Sequence, residues 1–343
     1  MLVFAAFIGW EGYEALTGGG RLESLAHGSL SDIAKEVRAI PLQTAGPQKL
    51  EHIRNVRVDG NDLFLVSNHI LYHFDVSGKF LGQITGLADI SVATYVIDQP
   101  NRQLIVLGNA NSVHYYSYEG HLTGKMHLDA SAFHSLEAVE MYGGYIWAAG
   151  LNEWTDSVTR QKYAGEQLVK YDTSFRKVDS YQLASADLPG KPVLPSFMGL
   201  GIGVDERTGQ VYACASPLAP DYLLRDSLAL VERKRTGSPF ADGEAGVKSI
   251  YPMRFGKRFW IASSVGAGLQ DYIYCFDSST SRSWQVESLD DNFFRTGAVS
   301  RLQPVDICSH SYYFCKSGET LKESFPGQTV SGNPVVFIVQ LKT

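Results

Sequence analysis

Six times along this chain an apolar run is followed by a tight polar turn and a second apolar run. The copies are VRVDGNDLFLV (56–66), TYVIDQPNRQLIVLG (94–108), LEAVEMYGGYIWAAG (136–150), GIGVDERTGQVYACA (201–215), SIYPMRFGKRFWIAS (249–263) and QPVDICSHSYYFCKS (303–317). Their turns carry Asp-Gly, Pro-Asn, Gly-Gly and Thr-Gly pairs, residues that accept tight or left-handed backbone. A repeat of this kind buries its apolar faces only against its neighbours, so it constrains the whole fold before any single residue does.

A second hairpin follows most copies: ILYHFDVSGKFLGQI (70–84), VHYYSYEGHLTGKMHL (113–128), LVKYDTSFRKVDSYQL (168–183) and YIYCFDSSTSRSWQVESL (272–289). In the fourth unit a degenerate version starts at LALVERK from 228 and returns at VKSIYP from 247. Each unit is therefore read as four up-and-down strands. The sixth has only VVFIVQLKT (335–343) after its first hairpin, one strand short, while EVRAIPLQT (36–44) precedes the first unit without a partner. If the N-terminal strand completes the last sheet, a ring closes and no edge is left open. The expectation is an all-β, six-bladed β-propeller whose blades recur about every 50 residues, a known propeller spacing. Two stacked sandwich domains would leave the missing strand unexplained.

The domain reading is an N-terminal extension, residues 1–32, and one propeller domain, residues 33–343. The extension opens with an apolar run from Leu2 to Trp10. That run is far short of the roughly 20 apolar residues that span a bilayer. It reads as the remnant of a signal or anchor segment or as a loosely docked terminus. Gly18–Gly20 reads as a hinge, and residues 22–36 as holding one short helix. The formal charge of −6 argues against nucleic acid as a partner, because that would need a basic patch or stripe.

Ala39-Ile40-Pro41-Leu42 before the first blade, and His73-Phe74-Asp75-Val76-Ser77-Gly78-Lys79-Phe80-Leu81 in its outer hairpin, resemble the six-bladed β-propeller proteins of Bacteroidetes. The resemblance covers roughly residues 33–343. It implies export to the periplasm or cell surface, frequent lipid anchoring, and work beside outer-membrane nutrient-uptake machinery; many such proteins have no assigned activity. The chain departs from them at Thr85–Ile90, where a Gly-Pro-rich stretch is common, and it has no lipobox cysteine near its start.

Loop length points to one face. The loops between second and third strands share a side with the interblade crossings, and most excess length lies there: Leu151–Gln167, Ser216–Ser227, Ser264–Asp271 and Gly318–Pro334, with crossings at 184–198 and 290–300. Loops held by a rigid scaffold carry binding sites. This face offers Trp154, Arg160, Tyr163, Tyr222, Arg225, Asp271, Phe294 and Arg295 as ligand-binding candidates. Aromatic platforms and bidentate arginines suit a glycan, a peptide or a protein partner. Taken singly, each aromatic is expected to pack its own loop; taken together, the face is read as a recognition surface on a monomer.

Catalytic signatures are missing: there is no G-x-S-x-G, H-E-x-x-H or G-x-x-x-x-G-K-[ST]. Gly199–Gly203 (GLGIG) imitates a dinucleotide fingerprint but leads into a strand. His69 and His73 on one strand would stand about 13 Å apart, too far for one metal ion. Asp59, Asp98 and Asp205 are read as turn stabilisers and Arg233–Arg235 as a solvated turn. No cofactor and no metal is expected. Cys214, Cys275, Cys308 and Cys315 form no C-x-x-C pair and read as buried thiols. The reading is thus a non-enzymatic binding or scaffold propeller. The alternative is a propeller hydrolase or lactonase with a metal or acid/base site at the axis, drawing on Asp89, His134, Asp271 and Asp306.

Overall fold

The computed structural model describes residues 23–43, 49–86, 89–108, 111–128, 133, 135–155, 158, 162–187, 201–205, 210–214, 222–224, 230–232, 249–250, 254–265, 271–280, 282–308, 310–321 and 333–343. They form six sheets, the six blades of a β-propeller. Blade one comprises Arg54–Asp59, Asp62–Ser67, Ile70–Asp75 and Phe80–Gln83, from the innermost strand outward. Blade two follows with Val92–Asp98, Gln103–Gly108, Ser112–Ser117 and Leu122–His127. Blade three has Ser135–Tyr142, Tyr145–Thr155, Lys162–Tyr171 and Lys177–Asp187.

The ring closes as the strand deficit predicts. Ala34–Pro41 pairs antiparallel with Val335–Leu341, with Val37 opposite Val339 and Ile40 opposite Val336. It is the outermost strand of blade six, beyond Val335–Leu341, Ser311–Lys316 and Gln303–Pro304. Pro41, which has no N–H to give a ladder, sits at the strand's end on that edge.

The middle strands of blades one and six are apolar on both faces because both face a neighbouring blade. In Val335–Leu341, Val336 and Ile338 pack with Leu63, Leu65 and Tyr72 of blade one. The alternate residues Phe337 and Val339 pack with Ile261, Ile273 and Val286 on the blade-five side. Leu63 and Leu65 likewise face blade six, while Phe64 and Val66 face Tyr95, Leu104 and Val106 of blade two. Strand periodicity of two then yields near-continuous hydrophobic runs, the pattern of a sheet covered on both sides.

Residues 22–36 do hold one short helix, and three other local expectations are corrected. Ahead of the helix, Glu23–Ser29 is a strand lying parallel on the outer edge of blade five, beside Arg282–Asp291. Only Leu30–Ile33 is helical, a single turn in which the Ser29 N–H donates to the Asp32 carboxylate at 3.0 Å. Leu30 and Ile33 are fully buried there, in the core shared by blades five and six. The segment Leu151–Gln167 is mostly not a loop, because blade three's central hairpin runs on to Thr155 and resumes at Lys162. In blade four, Gly201–Asp205 and Gln210–Cys214 are followed by Tyr222–Leu224 and then Leu230–Glu232. LALVERK therefore supplies the outermost strand, and a third strand lies inside the expected loop Ser216–Ser227. The returning segment from 247 belongs to blade five, where Ser249–Ile250 and Arg254–Phe255 both pair with Phe259–Val265. Asp271–Asp277 and Arg282–Asp291 complete that blade.

A turn device recurs in blades one, three and five. Asp75 and Asp277 end a third strand and Asp172 follows one, and each accepts from the backbone N–H two residues on, at Ser77, Ser279 and Ser174, over 2.8–2.9 Å. This is the Asx turn, in which a short carboxylate replaces a backbone acceptor. Burial works to raise the Asp277 carboxyl, but the Arg258 guanidinium and the Ser279 donors outweigh it and hold it at about 2. A depressed folded value gives stability that is present above pH 4 and fades as pH falls towards 2. After solvent screening this is about 1 kcal/mol or less. In Asp277→Asn the acid limb of a urea-midpoint-versus-pH curve should be shallower between pH 4 and 2; an unchanged limb would refute the assignment.

Gly78 joins the first blade to the closing strand. Its φ is +87°, and a Cβ there would lie 2.0 Å from the Pro41 carbonyl oxygen. The Gly78 carbonyl in turn accepts from Gln43 N–H at 2.8 Å. Gly78→Ala therefore adds both a left-handed penalty and a backbone collision, an expected loss of about 2 kcal/mol or more in chemical denaturation. A loss below about 0.5 kcal/mol, the size of an ordinary surface change, would contradict this packing.

Candidate functional site

The face of the long loops carries a cleft of about 810 Å³ between blades six and one. Three elements build it: the crossing into blade one (Lys49–Ile53), the crossing into blade six (Thr296–Arg301), and the upper end of blade six's strand Ser311–Lys316. Each crossing is pinned. Ser67 Oγ donates to the Glu51 carbonyl at 2.6 Å and accepts the Glu51 N–H at 2.9 Å, tying the first crossing to blade one. The buried Asp291 carboxylate accepts from the N–H groups of Phe293 and Phe294, both at 3.1 Å, and from Thr296 Oγ1. That fixes the start of the second crossing.

Lys316 spans the cleft's edge. Its ammonium donates to the carbonyls of Thr296, at 2.5 Å, and Ala298, at 2.9 Å. Burial pushes its pKa down, and Asp291 nearby partly offsets this. His52 at the opposite wall has φ of 50°, uncommon for a residue with a Cβ. Beneath, the Tyr313 hydroxyl donates to Gln303, and burial pushes it well up, so it stays protonated. The Cys315 thiol in the wall is pushed up to about 12 by burial and is not a nucleophile at neutral pH.

The axis of the ring is closed by charge. Arg57 of blade one donates to Glu140 of blade three at 2.8 Å, and Arg254 of blade five stands 3.8 Å from the other oxygen of the same carboxylate. Burial works to lower the Arg57 value, but Glu140, Tyr95 and Asp306 beside it leave it raised. The loop after Gln303–Pro304 reaches across from blade six: the Ile307 carbonyl accepts Val204 N–H of blade four at 3.1 Å, and the Ile307 side chain is buried with Trp147, Ala149 and Val204. Blades one, three and five thus meet at one carboxylate, and the blade-six loop sets Asp306 beside Arg57.

The proposed contact residues are placed as follows. Phe294 is half-buried and meets Phe337 edge-on at 5.6 Å, packing the crossing onto the blade-five and blade-six core. Arg295 is exposed, with φ of 57°. Trp154 and Tyr163 are opposite each other in blade three's extended hairpin. Tyr222 pairs with Ala213, and Asp271 with Val265, at strand ends. Arg160 and Arg225 lie outside the described residues, as does His134. Asp89 accepts from Gly86 N–H at 3.3 Å between blades one and two, and Asp306 stands beside Arg57 at the axis. Among the described residues no three His, Cys, Asp or Glu side chains gather as a metal site. Asp59 does more than stabilise its turn: it accepts from Tyr118 and Gln99 of blade two. Cys275 is fully buried and, with Cys308 and Cys315, is a free thiol.

Loop length named one wall of the cleft, the crossing 290–300, but not the other, because the crossing into blade one is an ordinary length. The legible signal was the basic and imidazole spacing Lys49, His52 and, 249 residues or more later, Arg301 and Lys316, which only ring closure brings together.

Residues 21–189 match the model of a family described as DUF5128, a 6-bladed beta-propeller. No curated protein is similar enough in sequence to set it apart from chance. Among solved structures, a Bacteroides fragilis NCTC 9343 protein named as a proposed exported protein is 16% identical, with a TM-score of 0.60 over 94% of this chain and 100% of that one. A Bacteroides thetaiotaomicron VPI-5482 protein of unknown function is 8% identical, with a TM-score of 0.49 over 92% of this chain and 74% of the other. Among the described residues no helix is long and apolar enough to cross a membrane.

Proposed function

We propose that this six-bladed β-propeller is an exported binding module that takes a glycan, peptide or protein partner on its long-loop face, seated in the cleft between blades six and one. The observation that carries the reading is the cleft itself, about 810 Å³ in volume and walled by two pinned crossings. A concavity of that size matches small-ligand sites. Its walls are held before any ligand arrives, which lowers the ordering cost of binding. Export rests on the naming of the Bacteroides fragilis neighbour together with the family resemblance. A place beside nutrient-uptake machinery of the outer membrane is the biological setting that resemblance favours.

Two features weigh against hydrolysis. The carboxylate at the axis is neutralised by two arginines, and the cleft's thiol is held protonated. The reading is tested by hydrogen exchange on the purified chain, incubated with panels of oligosaccharides and peptides. Protection confined to residues 49–53 and 296–301 is the expected result. Protection elsewhere on the ring, with these segments unchanged, would remove the cleft as the seat.

A further inference from the structure

Two paths of chain cross from blade five to blade six. One is the crossing after Arg282–Asp291, which forms a wall of the cleft at Thr296–Arg301. The other is the N-terminal segment: Glu23–Ser29 lies on blade five, Leu30–Ile33 makes a turn, and Ala34–Pro41 lies on blade six. The two paths are latched together. Asn292 Nδ2 donates to Ser31 Oγ at 2.6 Å, and Ser31 N–H donates back to Asn292 Oδ1 at 3.1 Å. Asp291, the neighbouring residue, holds the N–H groups of Phe293 and Phe294 and the Thr296 hydroxyl, while the Thr296 and Ala298 carbonyls hold Lys316. Hydrogen bonds and short stretches of chain thus run from the N-terminal segment to the cleft wall. The far end of the turn is fixed by Lys342, whose N–H donates to the Ile33 carbonyl at 2.9 Å. The near end depends on the strand. Ser29, its last residue, donates its N–H to the Asp32 carboxylate at 3.0 Å, and its Oγ lies 3.2 Å from Ser31 Oγ. A single helical turn does not persist without such support, because helix nucleation is unfavourable.

From this we infer that Glu23–Ser29 is a strap that governs the cleft: docked on blade five it holds the wall Thr296–Arg301 in place, and released it frees that wall. The inference takes the cleft as the binding seat from the reading above, but its test reads the wall itself, without ligand. The strap is suited to release. It is paired on one side only and in parallel, and parallel ladders are slightly the weaker kind. Its release leaves Ala34–Pro41 on blade six, so the ring stays shut. By reciprocity, a ligand that steadies the wall tightens the strap, and occupancy of the cleft is felt at the N-terminal strand.

Gly28 offers a handle on the strap alone. A Cβ there would come 3.0 Å from Leu289 Cδ2 and 3.1 Å from Val286 Cγ1, so Gly28→Val wedges the strand off blade five and leaves Ser31 and Asn292 in the sequence. Amide hydrogen exchange is measured on the full chain in Gly28→Val, Asn292→Ala and the pair, with residues 335–341 reporting global opening. Gly28→Val is expected to speed exchange about tenfold or more in both 23–29 and 296–301, the weight of two hydrogen bonds, with 335–341 unchanged. Asn292→Ala should speed 296–301 by a similar factor. The pair should add nothing further there, because both changes cut one link. Residues 296–301 at the parent rate in Asn292→Ala, or in a Gly28→Val chain whose residues 23–29 have come free, overturn the inference. So does a fully additive pair, or an equal rise at 335–341, which marks general loosening. None of these outcomes touches the binding reading, which falls only if the oligosaccharide and peptide panels leave the cleft unprotected.

Discussion

Glu140→Ala should cost this protein about 3–5 kcal/mol, visible as a large fall in the urea midpoint. The reason is the sealed axis. Glu140 lies 2.8 Å from Arg57 and 3.8 Å from Arg254, and all three side chains are 15% exposed or less. Removing the carboxylate leaves two guanidinium groups inside the ring with Asp306 as the remaining counter-charge near Arg57. The Arg57 Nε and Arg254 Nη1 atoms already lack hydrogen-bond partners among the described residues. A paired charge stripped of its partner is far costlier than the pair is stabilising, so the triple change Arg57→Met, Glu140→Leu, Arg254→Met should be milder than Glu140→Ala alone. A single-variant loss under about 1 kcal/mol, typical of surface pairs, would show that the cluster is wet and energetically idle.

A chain starting at residue 43 should form no folded monomer. It loses the closing strand Ala34–Pro41 and, with it, Leu30, Ile33, Val37 and Ile40, each 7% exposed or less. Four such side chains contribute about 6–12 kcal/mol by burial alone. That is the size of a whole domain's net stability, commonly about 5–15 kcal/mol. The truncation also bares the edge of Val335–Leu341, a run with one polar residue, which is a template for association. Gel filtration and far-UV circular dichroism are expected to show aggregate or a disordered chain, and a synthetic peptide of residues 23–43 to restore part of the monomer. A truncated monomer that melts at the parent temperature would refute the closure energetics.

The architecture was readable because its determinants are local and repeated. Turn chemistry at Asp59-Gly60, Gly143-Gly144 and Asp75–Lys79 sets hairpins one at a time, and a count of strands exposed the gap that Ala34–Pro41 fills. What misled was length read as loop. Leu151 to Thr155 continues an existing ladder, and nothing in a polar, aromatic string such as LNEWT separates a hairpin arm from a loop. Glu23–Ser29 was opaque for a related reason. A parallel strand added to an outer edge has its partner, Arg282–Asp291, at the far end of the sequence, so no local pattern announces it. The cleft escaped on the same ground, since Lys49 and Lys316 become neighbours only through closure. At the axis Asp306 stands beside Arg57, but Arg57 and Arg254, which govern the charge there, come from hairpins that looked purely structural.

The closing strand has a consequence for how the molecule is made. Ala34 pairs with Leu341, about three hundred residues downstream. During synthesis, Ala34–Pro41 must wait unmatched until Val335–Leu341 has left the ribosome. Blades one to four can assemble on the nascent chain as they appear. The toroid itself locks in one late event. A chaperone acting on the newborn polypeptide therefore meets an open crescent, and only the finished product is a closed ring.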